Sequence, residues 1–427
     1  MKRGRCSLNT SWPSKVTDSR PCHPLDVDWP RVLLLSALGL LLLGLPAHVR
    51  AQIDELPRPV EAHAPSFGVA VALGDSLAAV SASGEATCGP NGGAVYVYER
   101  IADPPFDKWR VTARLTPRPC HPNAFFGDQI ALSGNRLLVS ASGNDSPDGP
   151  GPNAAYLFTQ TNEGQWRQTT RFTAPDGRTT GSFAAGLDLD GDRAVVTTTG
   201  NLDAEQDGEV YVYDHLPSTN EWHQSARLTS RRPSAPGVMG RRVALDHDLI
   251  AVAASTYFRS APGSVHVFAR DGATGAWRES AVLEGIDAFF IDLDLYGDVL
   301  LAGADRAGDR GSGEALVFTH RPENGWTQTA PLRPSHPYES GAFGTAVALN
   351  EDWALVAGYG EQLGRDFNID RVVYAFRRTA RESWTEHTLF DIGEVDFGAA
   401  LALHGSRALI SSVPANGSGA VYLVRLR

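Results

Sequence analysis

Lysine, cysteine and methionine are all scarce in this chain of 427 residues, and each shortage narrows what the protein can be. Beyond residue 51 only Lys108 remains of the lysines. Residues 52–427 keep 31 of the 38 basic and 46 of the 49 acidic residues, a formal net charge of about −15. That balance excludes the basic footprint of a nucleic-acid binder. Missing too are a Gly-x-Ser-x-Gly elbow, a His-Glu-x-x-His helix and a phosphate-binding Gly-Lys-Ser/Thr loop, so no linear motif announces a hydrolase, a zinc protease or a nucleotidase. The histidines are scattered, with no pair at metal-ligand spacing. No charge run or low-complexity tract interrupts residues 52–427, which therefore read as one domain without a linker.

The long apolar run is confined to the amino terminus. Val32 to Leu45 reads "VLLLSALGLLLLGL", behind Arg31 and ahead of "PAHVRAQ". Its length and the small residues Val49 and Ala51 fit a signal peptide cleaved after Ala51, with a long Pro- and Arg-rich n-region. The run falls short of the ~20 residues that span a bilayer, a retained anchor being the alternative. Gln52 stands where a lipoprotein would need cysteine. The expectation is an exported protein, secreted or periplasmic, with no membrane span after cleavage. Cys6 and Cys22 leave with the prefix, so Cys88 and Cys120 remain; an oxidising compartment permits a disulfide between them, two free thiols being the other reading.

One sentence is written seven times in what is left. "FGVAVAL" at Phe67 is followed by "FGDQIAL" at Phe126, "FAAGLDL" at Phe183, "MGRRVAL" at Met239, "FFIDLDL" at Phe289, "FGTAVAL" at Phe343 and "FGAALAL" at Phe397, at intervals of 50 to 59 residues. A fixed period in this range signals a repeat architecture. Each unit carries four strand signals. The first alternates small apolar residues and ends at a corner such as Gly134-Asn135 or Gly191-Asp192, a two-residue hairpin turn. The second is short and apolar, as in "LLVSAS" at Leu137. The third is the most regular, as in "GAVYVYER" from Gly93, "GEVYVYDH" from Gly208 and "GSVHVFAR" from Gly263. The fourth opens at Trp109, Trp166, Trp222, Trp277, Trp326 and Trp384, a position that suits a large ring at the wide edge of a wedge, its indole N–H reaching a partner or water.

A four-stranded unit cannot bury both of its faces alone, and seven of them close into a ring. The predicted fold is all-β, a seven-bladed β-propeller of four-stranded antiparallel blades. The seventh unit ends at Arg427 without its Trp-bearing strand. Leu56 precedes Phe67 by the same eleven residues that separate Leu115 from Phe126, so residues 52–57 are expected to complete the last blade. On this topology the loops holding Cys88 and Cys120 emerge on the same face, and a bridge between them is allowed.

The pattern "FGxAVAL…GDxALV…GAVYVF…W…L" over residues 52–427 resembles FG-GAP repeats, found in bacterial exported proteins and integrin α-subunit heads, although the Gly-Ala-Pro step is degraded to "SAS", "AGAD" or "AGYG". The resemblance implies a propeller in an extracellular or periplasmic setting and a role in adhesion or ligand binding. Integrin-like blades often hold calcium in a long Asp-x-Asp-x-Asp-Gly hairpin. In "DLDLDGDR" at Asp188, however, Arg193 stands where that loop requires Gly, and the corner turn accounts for the composition. Asp145, Asp148, Asp203, Asp207, Asp305 and Asp309 gather in longer loops and read as solvated turn residues, with calcium binding the alternative.

Where the other units place Ala, Val or Thr in the first strand, a few polar and charged residues intrude: Asp128 and Gln129 in the second unit, Arg241 and Arg242 in the fourth, Asp292 in the fifth. Converging on the axis they would bind a ligand in the channel or pair with one another. The leading functional expectation is a non-enzymatic binding or adhesion module for a protein or glycan, with no cofactor. An enzyme using the channel or a loop face, or a structural envelope component, stands beside it, since a propeller hosts all three.

Overall fold

The computed structural model describes residues 53–59, 66–103, 108–143, 145–146, 149–150, 153–175, 183–200, 208–231, 239–255, 262–288, 291–338, 340–361, 369–394, 396–414 and 418–427. The signal-peptide reading of residues 1–51 lies outside them, as do Phe289, Asp148, Asp203, Asp207 and the side chain of Asp145.

Seven four-stranded antiparallel sheets follow one another around a ring. Blade 1 is Phe67–Leu73, Leu77–Ala82, Ala94–Ile101 and Lys108–Leu115, counted from the axis outward, and blade 2 is Phe126–Ser133, Arg136–Ala141, Ala154–Gln160 and Trp166–Thr173. Blades 3 and 4 begin with Phe183–Asp190 and Met239–Asp246, and blades 5 and 6 with Leu293–Tyr296 and Ala346–Leu349. Blade 7 runs Phe397–His404, Arg407–Ser412, Ala420–Arg425, and its fourth strand comes from the other end of the chain. Ile53–Glu55 pairs antiparallel with Ala420–Arg425, Ile53 opposite Val424 and Glu55 opposite Tyr422. The Leu56 N–H continues this pairing onto the Val421 carbonyl at 2.8 Å, and the Leu56 side chain is buried.

The core lies between the blades. Seven hydrophobic clusters among the described residues each join two adjacent blades, including one that joins blade 7 to blade 1 through Leu409, Val421 and Leu423 against Phe67, Val80 and Tyr96. This explains why the third strand reads as unbroken Val, Tyr and Phe: both of its faces are covered. The Phe of each Phe-Gly step fills such a cluster, and the Gly after it turns the inner strand over the preceding blade. A Cβ on Gly344 would sit 2.6 Å from the Glu314 carbonyl oxygen, and its φ is +102°. On the other side of the joint, a Cβ on Gly419, which opens the third strand of blade 7, would lie 1.9 Å from the Phe67 carbonyl. The recurring glycines are thus the two halves of one close contact between neighbouring blades.

Each of the six outer-strand tryptophans, Trp109, Trp166, Trp222, Trp277, Trp326 and Trp384, packs into the cluster shared with the preceding blade. The preceding blade also covers three of these rings with an arginine: Arg136 over Trp222 at 5.6 Å, Arg193 over Trp277 at 5.2 Å and, across the ring seam, Arg407 over Trp109 at 6.0 Å. The same guanidinium groups donate to the corner aspartates, Arg136 to Asp192 at 2.8 Å, Arg193 to Asp248 at 3.0 Å and Arg407 to Asp75 at 3.0 Å. The corner Asp is therefore a clasp between blades as well as a turn former. The indole N–H groups of Trp109, Trp166, Trp277, Trp326 and Trp384 find no acceptor among the described residues, which differs from the expected use of the indole. Stacking and burial hold these rings.

Candidate functional site

The polar and charged residues singled out in the inner strands separate into two groups. Gln129, Arg242 and Asp292 line the hub, a channel of about 290 Å3 walled by inner strands of all seven blades. Asp128 turns away from it and accepts a hydrogen bond from the Ser142 hydroxyl at 3.2 Å. Arg241 is exposed. Arg242 Nε donates to Asp292 Oδ1 at 2.9 Å, so the structure brings this pair together by internal pairing.

Two further carboxylates, Asp188 and Asp294, share the wall, and with Asp190, Asp246 and Asp292 they form a ladder between inner strands. Asp188 Oδ2 accepts the Leu245 N–H at 2.7 Å, Asp190 Oδ2 accepts the His247 N–H at 2.8 Å, Asp292 Oδ2 accepts the Val347 N–H at 2.9 Å and Asp294 Oδ2 accepts the Leu349 N–H at 2.7 Å. Asp246 accepts from the Gly297 N–H in the same way. An innermost strand is a sheet edge whose alternate N–H groups have no ladder partner, and here the blade before supplies the acceptor. Burial pushes the Asp188 and Asp294 carboxyls up to about 7, the backbone N–H groups pulling the other way; Asp190 and Asp246 beside Asp188, and Asp188 and Asp292 beside Asp294, add repulsion. At the mouth on the hairpin face Asp190, Asp246 and His247 bring their ligand atoms within 4.8 Å of one another. The His247 imidazole is raised above its ordinary range by its hydrogen bond to Asp246.

The opposite face carries the loops between strands two and three and between blades. Cys88 and Cys120 are joined there by a disulfide, Cα to Cα 5.5 Å. Beneath these loops lies a repeated polar network. In blade 1 the Tyr96 hydroxyl donates to Glu85 at 2.7 Å and Arg114 pairs with the same carboxylate; in blade 3 Tyr211 donates to Glu209 at 2.6 Å and Arg227 Nε at 3.0 Å. Blade 5 keeps the ion pair, Arg333 Nε to Glu314 at 2.7 Å, without the tyrosine. There the surface opens into a cleft of about 430 Å3, walled on one side by the turn Asp309–Gly311 and on the other by Arg333, Pro334, Pro337 and Tyr338. Of the aspartates proposed for calcium, Asp309 belongs to this cleft.

Blade 4 departs from the network. His266 stands where blades 1 and 3 have tyrosine, and its imidazole lies between the Ser264 hydroxyl, 3.2 Å from Nε2, and the Glu279 carboxylate, 2.8 Å from Nδ1. His266 is fully buried and Ser264 is 7% exposed. Residue patterning missed this group, because Ser264 and His266 look like ordinary alternation and Glu279 lies on the next strand. The signal available was the simultaneous change of two repeat positions, Ser264 and His266, in one blade.

The FG-GAP repeat family matches residues 109–158 and 166–213. The chain carries FG-GAP repeats. Each matched FG-GAP segment starts at the Trp-bearing outer strand of one blade and runs through the third strand of the next, so the sequence repeat is offset from the blade by one strand. Counted this way the described strands start with an outer strand, Ile53–Glu55, and finish on a third strand, Ala420–Arg425. No curated protein matches the sequence. Similar solved structures include "a putative 6-phosphogluconolactonase" from Bacteroides uniformis, 13% identical with a TM-score of 0.48 over 76% of this chain and 85% of that one. A protein from Lactobacillus plantarum is also 13% identical, with a TM-score of 0.45 over 76% and 84%.

Proposed function

We propose that this FG-GAP propeller is an exported binding module that captures a protein or glycan in the loop-face cleft between blades 5 and 6. The observation that carries the reading is that cleft, about 430 Å3, where the repeat's own residues give way to a turn of Asp309, Arg310 and Gly311 facing Tyr338 and two prolines. Elsewhere the repeated Phe-Gly, Trp and Gly-Asp positions are consumed by joints between blades. Hydrogen-bonding charges beside an aromatic ring and flat proline edges suit a sugar or a polar peptide segment. Export is supported by the apolar run of residues 32–45 and by the Cys88–Cys120 disulfide, a bond that persists in oxidising compartments.

The test is a glycan array together with a pull-down of surface proteins, using the chain from Gln52 onward and a Tyr338→Ala variant. Saturable binding weakened at least tenfold by the substitution is expected. A folded wild-type chain that captures nothing on either assay overturns the reading.

A further inference from the structure

Ser264, His266 and Glu279 have the mutual geometry of an activated hydroxyl. An ionised Glu279 can only accept, so the 2.8 Å contact to His266 Nδ1 places the ring proton on that nitrogen. Nε2 is then left with its lone pair, and the Ser264 hydroxyl 3.2 Å away donates to it. The second Glu279 oxygen accepts the Arg231 N–H at 3.1 Å, which anchors the carboxylate to the loop between blades 3 and 4. A hydroxyl whose proton points at an imidazole held in this tautomer by a carboxylate is the arrangement that makes serine a nucleophile.

The repeat supplies an independent observation. Ser264 replaces Ala94 of blade 1 and Glu209 of blade 3, and His266 replaces Tyr96 and Tyr211; Glu279 stands where blades 2, 3 and 5 have Gln168, Gln224 and Gln328 and where blade 6 has Glu386, which holds its interblade loop through the Ser335 N–H and hydroxyl at 2.8 Å. In blade 2 that glutamine alone clamps the preceding interblade loop, Gln168 Oε1 accepting the Arg118 N–H at 2.8 Å and Nε2 donating to its carbonyl at 2.8 Å. Holding the loop therefore does not call for a carboxylate. Nor does filling the blade call for an imidazole, since tyrosine does so in blades 1 and 3.

We propose that blade 4 carries an acyl-transfer site in which Ser264 is the nucleophile, His266 the general base and Glu279 the positioning residue. Ser264 Oγ attacks the carbonyl carbon of a carboxylic ester while its proton passes to His266 Nε2. The ester C–O bond then breaks, and the same proton goes to the departing alkoxide. Water attacks the acyl-serine with its proton taken by Nε2, and that proton returns to Ser264 Oγ as the acid leaves. Because Ser264 is 7% exposed and His266 is enclosed, the acyl group of the substrate has to be slender, such as acetyl.

The experiment treats the whole exported chain with a small fluorophosphonate, maps the adduct by peptide mass and follows p-nitrophenyl acetate turnover in parallel. Every substitution restores a residue the repeat itself uses, which guards the fold, and thermal melts check it. A single adduct on Ser264 is expected, abolished in Ser264→Ala and His266→Tyr. In Glu279→Gln labelling slows at least tenfold and its pH profile moves to lower pH, as loss of a carboxylate beside an imidazole requires. A folded wild-type chain that gives no adduct on Ser264 overturns the proposal, and so does labelling that Glu279→Gln leaves unchanged in rate and pH profile. Glycan or protein capture at the cleft is read separately, so either result stands without the other.

Discussion

The second residue of the Phe-Gly step adopts φ between +82° and +108° at Gly68, Gly127, Gly240, Gly344 and Gly398, beyond the left-handed basin open to other residues. Blade 3 shows the exception and its reason: Ala184 holds the same place at φ +64°, inside that basin, where alanine costs only about 1 kcal/mol. Gly344 has no such freedom, since its added methyl would also meet the Ala304 nitrogen at 2.9 Å. Gly344→Ala is therefore expected to lower unfolding stability by about 3 kcal/mol, read as a fall in the denaturant midpoint. An unchanged midpoint would contradict the joint. Recurrence made the glycine legible in the sequence. Its purpose was not, because the atoms it avoids belong to the blade before.

At the scale of the element, the hub ladder shows how an inner strand edge is satisfied and gives the propeller a pH dependence. Asp188 and Asp294 titrate near 7 in the folded chain and near the ordinary carboxylate value when unfolded. Between about pH 4 and 7 the folded state thus holds protons that the unfolded state has released, and stability falls as pH rises through that window. Both groups touch the lumen, where water softens the effect, so the loss is on the order of 1 to 2 kcal/mol for each. Denaturant titrations from pH 4.5 to 8 should show this slope in the wild type, and Asp188→Asn combined with Asp294→Asn should flatten it. Equal slopes in the two proteins would remove these carboxylates as its source. From the sequence, Asp188 and Asp190 read as composition around a hairpin corner. Their acceptor role was hidden because each N–H they serve lies 57 residues away, at Leu245 and His247.

For the whole molecule, closure rests on the offset between repeat and blade. The strand Ile53–Glu55, the buried Leu56, the Tyr98 hydroxyl donating to the Pro57 carbonyl at 3.1 Å and Arg58 donating to the Gly419 carbonyl at 3.1 Å tie the amino-terminal segment to blades 1 and 7. A chain beginning after Pro59 loses these contacts, about 3 kcal/mol from the apolar area of Leu56 and the hydrogen bonds together, and its melting temperature should drop by several degrees. An unaltered melt would mean that the Arg407 clasp and the core between blades 7 and 1 hold the ring unaided. The sequence by itself determined the number of blades, the order of strands within each and the need for an outer strand from the opposite terminus, because these follow from period and alternation, which are local properties of the chain. Only the tertiary structure decided which charges meet. It gave Arg242 to Asp292, turned Asp128 away from the hub, joined Cys88 to Cys120 and set Ser264, His266 and Glu279 in line. Those contacts depend on register between strands and on the wedge between blades, and neither is written in any single repeat.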